Sequence, residues 1–225
     1  MKIAFLHTAQ VHVETFDTLM QKTASDVQCQ HHVAADLLER ARDHGLSDVT
    51  APTIQILQDL SQADAVICTC STLGPIADQL SQSHPNVIRI DRPMMEAACT
   101  TGNNILVAIC LESTKQATLD LLHDCASEAG QDITPRLVLC NSAWPHFEAG
   151  DMEQFAKTIT RTISSEIEKS GRPDCILLAQ ASMRVAAVQL ADLGLPVLSS
   201  PQLAIERAIA VPTLHLKSEV DVTKS

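Results

Sequence analysis

The sequence predicts an α/β protein of two pseudosymmetric, Rossmann-like domains, each with a parallel sheet, facing each other across a shared interdomain cleft. Two observations carry this expectation: short apolar runs alternate with amphipathic helical stretches, and the second half of the chain repeats the first. Seven runs bounded by polar turns read as strands buried on both faces, at Lys2 to Leu6, Ala65 to Cys68, Val87 to Ile90, Ile105 to Cys110, Leu137 to Leu139, Cys175 to Ala179 and Pro196 to Leu198. Between them, Val33 to His44, Lys115 to Ala129, Glu153 to Lys169 and Met183 to Leu193 carry apolar residues at spacings of three and four, the period of a helix with one buried face. Strand and helix in alternation imply parallel βαβ units.

The repeat sharpens the reading. In the first half, Asp64-Ala-Val-Ile-Cys-Thr-Cys-Ser-Thr is followed by Asn86-Val-Ile-Arg-Ile-Asp-Arg-Pro-Met-Met-Glu-Ala-Ala. In the second, Asp174-Cys-Ile-Leu-Leu-Ala-Gln-Ala-Ser-Met is followed by Leu195-Pro-Val-Leu-Ser-Ser-Pro-Gln-Leu-Ala-Ile-Glu-Arg-Ala. Matching Asp64 to Asp174 sets Cys70 against Gln180. The opening strands at Lys2 and Asn104 match at a similar offset. Two such halves would turn the carboxyl ends of their strands toward a common cleft, the usual ligand position in parallel sheets. The expected first domain is residues 1–91 joined by about 206–225, with Glu206 to Ala210 as the returning helix; residues 92–205 form the second.

Composition excludes several classes. With 225 residues, 45% of them hydrophobic, the chain can bury one large core or two smaller ones. A formal net charge of -11 repels polyanions, and the absence of Tyr with a single Trp leaves no base-stacking platform, so nucleic acid is not the expected partner. The apolar run of the first residues stops at His7, too short for a signal peptide, and no stretch approaches a membrane span, so the expected location is the cytoplasm. The eight cysteines are then expected as reduced thiols, with Cys110, Cys125, Cys140 and Cys175 as small buried hydrophobes. Cys68 and Cys70 lack the second ligand pair of a structural zinc site, so no metal is expected. There is no GxGxxG and no GKS or GKT, hence no expected nucleotide cofactor.

Cys70-Ser71-Thr72-Leu73-Gly74-Pro75 is the strongest local feature. A thiol just past a buried strand, where a turn opens toward a helix, lies among unpaired backbone amides that can bind a carboxylate and favour the thiolate. Such a thiolate acts as a proton-abstracting base or a nucleophile. The alternative is a buried strand cysteine before a hydroxyl-rich helix cap.

Cys70-Ser-Thr after an apolar strand resembles the first catalytic cysteine motif, Cys-(Asn/Ser)-Thr, of the aspartate/glutamate/hydantoin racemase superfamily. Ile90-Asp-Arg-Pro-Met-Met-Glu-Ala-Ala, followed by Asn104-Ile-Leu-Val-Ala-Ile-Cys-Leu-Glu-Ser-Thr, is similar to that family's linker and following strand, and the likeness runs from His7-Thr8 to Ser199-Ser-Pro-Gln-Leu-Ala-Ile-Glu-Arg-Ala. The resemblance implies a homo-oligomer, most simply a dimer, and a cofactor-independent enzyme. Two cysteines would face each other across the cleft and move a proton at the carbon next to a carboxylate or carbonyl of a small amino-acid-like substrate. Where the family carries its second cysteine, in Cys-Thr-His, this chain has Gln180-Ala181-Ser182. An amide is no Brønsted base near neutral pH, although it hydrogen-bonds a carboxylate or an enolate.

The resemblance therefore implies catalysis by Cys70 with Gln180 opposite. His7, Thr8, Ser71, Thr72, Ser113, Thr114, Ala181 and Ser182 would then contact the substrate. Read by themselves, the hydroxyl residues are equally helix caps, His7 is a proton carrier or a satisfied strand-end residue, His31-His32 is surface, and Arg92 pairs with Asp91 or with an acidic substrate. Three functions compete: an isomerase or racemase with one thiol, a one-sided proton reaction such as decarboxylation, and a carboxylate-binding protein without turnover.

Overall fold

The computed structural model describes the backbone of residues 1–222 and the side chains of residues 1–211; residues 223–225, which the expected first domain includes, lie outside the described residues. In chain order the elements are β1 (Lys2–His7), α1 (Val11–Thr23), β2 (Gln28–Val33), α2 (Ala35–His44), α3 (Leu46–Leu60), β3 (Ala65–Cys68), α4 (Gly74–Ser81), β4 (Val87–Arg89), α5 (Arg92–Thr101), β5 (Asn104–Ile109), α6 (Lys115–Ala129), β6 (Thr134–Leu139), α7 (Trp144–Glu148), α8 (Met152–Ser170), β7 (Cys175–Leu178), α9 (Ala187–Leu190), β8 (Val197–Ser199) and α10 (Ser200–Val222). They form two compact units, Met1–Asp91 with Pro201–Ser225, and Arg92–Ser200.

Each unit holds one four-stranded parallel sheet, ordered β2-β1-β3-β4 in the first and β6-β5-β7-β8 in the second. The two sheets also share their register, with Ile3 opposite Ala65 and Ile105 opposite Cys175. An aspartate before the third strand of each unit clips the first strand in the same way. Asp64 accepts from the Lys2 amide at 2.7 Å and donates its own N–H to the Lys2 carbonyl, and Asp174 repeats this with Asn104 at 2.8 Å.

β1 is apolar from Ile3 to Leu6 because both of its faces are covered there. Ala4 and Leu6 pack with Leu37, Val49, Leu57 and Leu73 on one side. Ile3 and Phe5 pack with Phe16 and Met20, and with Ala204, Ile205 and Ala208 of α10, on the other. In the second unit, Leu106 and Ala108 meet Phe155, Ile159 and Ile163 of α8. Burying a Leu, Ile or Phe contributes roughly 1.5–3 kcal/mol, so these contacts fix the sheets firmly beneath their strand-end loops.

β2 does not follow the apolar pattern of β1, β3, β5 and β7. It lies at the edge of its sheet, where Gln28, Gln30 and His32 face solvent and Cys29, His31 and Val33 are half-buried, the alternation of a strand covered on one face. The helix expected at Met183 to Leu193 is broken into 3-10 turns at Ala181–Ala186 and Ala191–Leu193 around α9. At about 2.0 Å rise per residue, against about 1.5 Å in an α-helix, 3-10 turns carry this segment farther per residue. α3 contains Pro52, which cannot donate to the Asp48 carbonyl one turn back; Arg40 Nη2 donates there instead, at 2.9 Å. No helix among the described residues is long and apolar enough to cross a membrane.

Candidate functional site

In the first unit, the loops after β1 and β3 converge at the carboxyl edge of the sheet. Thr69 follows β3, its amide bonds the Leu6 carbonyl at 2.9 Å, and its hydroxyl donates to the same oxygen at 3.0 Å. Cys70 comes next. Its carbonyl accepts from Leu73 N–H and that of Ser71 from Gly74 N–H, closing the turn that starts α4. The amides of Cys70, Ser71 and Thr72 make no hydrogen bond among the described residues, and Ser71 and Thr72 are exposed. The turn therefore offers adjacent N–H donors and two hydroxyls beside one thiol, donors of the kind that can bind a carboxylate.

Six other cysteines, Cys68, Cys99, Cys110, Cys125, Cys140 and Cys175, keep at most 2% of their surface, whereas Cys70 keeps 8%. Burial pushes the Cys110, Cys125 and Cys140 thiols up to about 12 and that of Cys175 to about 11, and raises those of Cys68 and Cys99 as well. These six are packing residues, in line with the reading of Cys110, Cys125, Cys140 and Cys175 as buried hydrophobes. Cys29 on β2 is half-buried, and burial followed by the charge of Asp17 raises its thiol too.

The Cys70 turn rests on a buried ion network. Arg89 at the end of β4 pairs with Asp91 and, at 3.0 Å, with Asp78 of α4. Gly74 lies directly over the guanidinium; a Cβ there would stand 2.5 Å from Arg89 Nε. Asp91 therefore pairs with Arg89, and Arg92 pairs with Glu128 at 3.0 Å, so the expected Asp91–Arg92 partnership is replaced by two others.

His7 has no exposed surface, and both ring nitrogens are engaged: Nδ1 lies 2.8 Å from Thr69 Oγ1 and Nε2 lies 2.9 Å from His31 Nδ1. His31 Nε2 in turn lies 3.0 Å from Asp17 Oδ1 on α1. Burial, then His31 and His12, hold His7 neutral, with its pKa lowered to about 3. It is the buried member of a polar chain running from Thr69 to the surface, and not an open contact. Thr8 is buried beside it. His31 belongs to this chain, a correction to its reading as surface, while its neighbour His32 is exposed. Asp17, Cys29 and His31 also bring one ligand atom each within 4.8 Å of one another, the one grouping among the described residues that could hold a metal ion.

In the second unit the matching loops behave differently. Gln180 stands two residues past β7, as Cys70 stands two past β3. Its Oε1 accepts from the Cys110 amide at 2.6 Å, so the carboxamide is pinned to the loop after β5. Its Nε2 has no partner among the described residues and remains a donor. Ala181 and Ser182 are half-buried within the 3-10 turn, Ser113 is exposed, and Thr114 donates its hydroxyl to the Leu111 carbonyl as a local cap. Sequence reasoning missed Thr69, Asp17, Cys29 and the Cys110 amide. The alternation of Cys29 and His31 on a polar strand was the available sign.

Two α/β units with the same strand order and register define the fold, and it is shared with solved aspartate, glutamate and allantoin racemases. Among solved structures, the aspartate racemase of Picrophilus torridus superposes with a TM-score of 0.66 over 93% of this chain and 92% of its own, at 13% identity. The allantoin racemase of Pseudomonas fluorescens gives 0.65 over 96% and 92%, at 18% identity. An unliganded arylmalonate decarboxylase gives 0.61 over 93% and 92%, at 13% identity. No protein-family model and no curated protein sequence matches the chain.

Proposed function

We propose that the protein is a cofactor-independent, isomerase-like enzyme that acts at the carbon next to a carboxylate or carbonyl of a small amino-acid-like substrate, with Cys70 as its single acid/base or nucleophilic thiol. The observation that carries this reading is the Cys70 turn: a thiol on a residue that keeps 8% of its surface, beside three amides without a partner among the described residues and the hydroxyls of Ser71 and Thr72. The amides hold the substrate carboxylate, and as a proton leaves the α-carbon for the Cys70 sulfur they stabilise the charge that moves onto the carboxylate oxygens. The thiol then returns the proton to the same carbon, restoring the thiolate.

Gln180 favours a one-sided version of this chemistry. It holds in the second unit the place that Cys70 holds in the first, and its oxygen is committed to the Cys110 amide, so only a donor N–H remains. A carboxamide stabilises an enolate without accepting or delivering a proton. Decarboxylation fits the same apparatus: the carbon–carbon bond breaks, carbon dioxide leaves, and the Cys70 S–H protonates the enediolate from one face. The solved arylmalonate decarboxylase with this fold makes that substrate class worth including in the panel.

The test is a proton-NMR panel of α-amino acids, hydantoins and malonates in deuterated water. Label should enter an accepted substrate with retention of configuration, or a malonate should lose carbon dioxide, and Cys70→Ser should abolish either. Alkylation located by mass spectrometry should modify Cys70 near neutral pH, and substrate should protect it. Rapid interconversion of both enantiomers would require a second base and refute the one-sided reading. No turnover together with a slow Cys70 thiol would leave a carboxylate-binding protein.

A further inference from the structure

We propose that Asp17, Cys29 and Nε2 of His31 form a binding site for one divalent transition-metal cation of the zinc type, apart from Cys70 and independent of its chemistry. The direction of hydrogen bonding inside the first unit leads to it. The Leu6 carbonyl can only accept, so the Thr69 hydroxyl gives its single hydrogen there, at 3.0 Å. His7 Nδ1, 2.8 Å from the same hydroxyl, must then donate to it. With its hydrogen on Nδ1, the fully enclosed His7 ring keeps a lone pair on Nε2. His31 Nδ1, 2.9 Å away, is therefore the donor in that pair.

His31 thus carries its hydrogen on Nδ1, and its Nε2 faces Asp17 Oδ1 at 3.0 Å. Two lone-pair atoms do not face each other at that distance without a cation to join them: a second proton on His31, or a metal ion. Cys29 favours the metal. It lies two residues before His31 on β2, so both side chains project from one face of the strand, and α1 presents Asp17 to them. The three ligand atoms lie within 4.8 Å of one another. Bonds of about 2.0–2.3 Å place tetrahedral zinc ligands roughly 3.3–3.8 Å apart, within reach of a small side-chain closure. One sulfur, one imidazole nitrogen and one carboxylate oxygen suit a borderline cation.

The outer shell is already built. A metal-bound imidazole ordinarily donates its other N–H to a fixed acceptor, and His31 has one in His7, itself held by Thr69. His31 is further held by stacking on Phe5, with ring centroids 5.0 Å apart at 8°. Asp17 is 55% exposed, which leaves a route for the ion and room for water as fourth ligand. The Cys29 thiol now points at the Val27 carbonyl at 3.9 Å. Metal binding would convert it to the thiolate and release that proton to solvent, so affinity should fall as pH falls.

The experiment uses untagged full-length protein stripped of metal and titrated with Co²⁺. One equivalent should bind with a thiolate-to-cobalt charge-transfer band, and Zn²⁺ should displace it. Cys29→Ser should remove the band and weaken binding at least tenfold, His31→Gln should do likewise, and Cys70→Ser should leave both unchanged. His7→Gln, which keeps a hydrogen-bonding group but disturbs the tautomer, should weaken binding without removing the band. Absence of stoichiometric binding, or a band that survives Cys29→Ser, overturns the proposal. So does a nitrogen-15 spectrum showing His31 doubly protonated in the presence of excess Zn²⁺, which would assign the bridging cation as a proton.

Discussion

Acidification should destabilise the first unit through His7. Its folded-state pKa of about 3 lies far below the ordinary value of 6.5, because burial excludes the charged ring and His31 and His12 oppose it. Above pH 6.5 neither the folded nor the unfolded state holds the extra proton, and the contribution of His7 to stability is fully present. As pH falls below 6.5 the unfolded chain takes up a proton that the folded chain refuses, and the loss continues down to about pH 3. Each pH unit in that window costs about 1.4 kcal/mol, so a drop from pH 6.5 to 4.5 should remove up to about 2.7 kcal/mol. The measurement is hydrogen exchange of the β1 peptide across that range in chelator-treated protein, for wild type and for His7→Gln, which cannot titrate. Wild type should show the steeper loss of protection by about one proton per unfolding event. Parallel pH dependences in the two proteins would show that His7 is not the neutral, enclosed group described above.

Gly74→Ala, a change that usually stabilises a helix, should here lower stability by about 2–4 kcal/mol in urea titrations, because the new Cβ displaces an arginine pinned by Asp78 and Asp91. Thr53→Val should raise it by about 1 kcal/mol, since the buried Thr53 hydroxyl has no partner among the described residues. Gln180→Ala leaves the Cys110 N–H without its partner and should cost about 1–3 kcal/mol by exchange of β5, whereas Gln180→Glu, which keeps an acceptor, should cost less. Asp64→Ala and Asp174→Ala should each lower the protection of their own sheet by about 1 kcal/mol; a large loss in one alone would deny that the two clips are equivalent.

How far the sequence could be read follows from what each face of a strand touches. β1, β3, β5 and β7 are covered on both sides, so they appear as apolar runs, and the matching aspartates Asp64 and Asp174 set the repeat in register. β2 was invisible to that criterion because one face meets solvent, and with it went the polar chain through His31. The Cys70 turn was legible because a thiol, two hydroxyls, a glycine and a proline stand in sequence. What Gly74 is for was not: only the fold brings Arg89 beneath it. The partner of Gln180 is seventy residues away in sequence, and no local pattern announces a backbone amide as its target.

The two units also show how a repeat can keep its scaffold while its strand-end groups diverge. After the first strand, the first unit places Thr8 where the second places Cys110; after the third, it places Cys70 where the second places Gln180. In the second unit these positions bond each other, amide to carboxamide, and the loop closes on itself. In the first unit the bridging role has moved back one residue. Thr69 ties the loop to Leu6 and His7, and the Cys70 side chain makes no hydrogen bond among the described residues. The role proposed for Cys70 requires a thiol without such a bond, whereas a carboxamide engaged through its oxygen is left as a donor. The asymmetry is therefore built by which residue carries the loop: Thr69 in one unit, Gln180 in the other. Replacing Thr69 by Val should accordingly loosen the Cys70 turn and lower any turnover more than it lowers global stability, read as a kcat loss at nearly constant unfolding midpoint. An equal loss of both would mean that Thr69 only holds the sheet together.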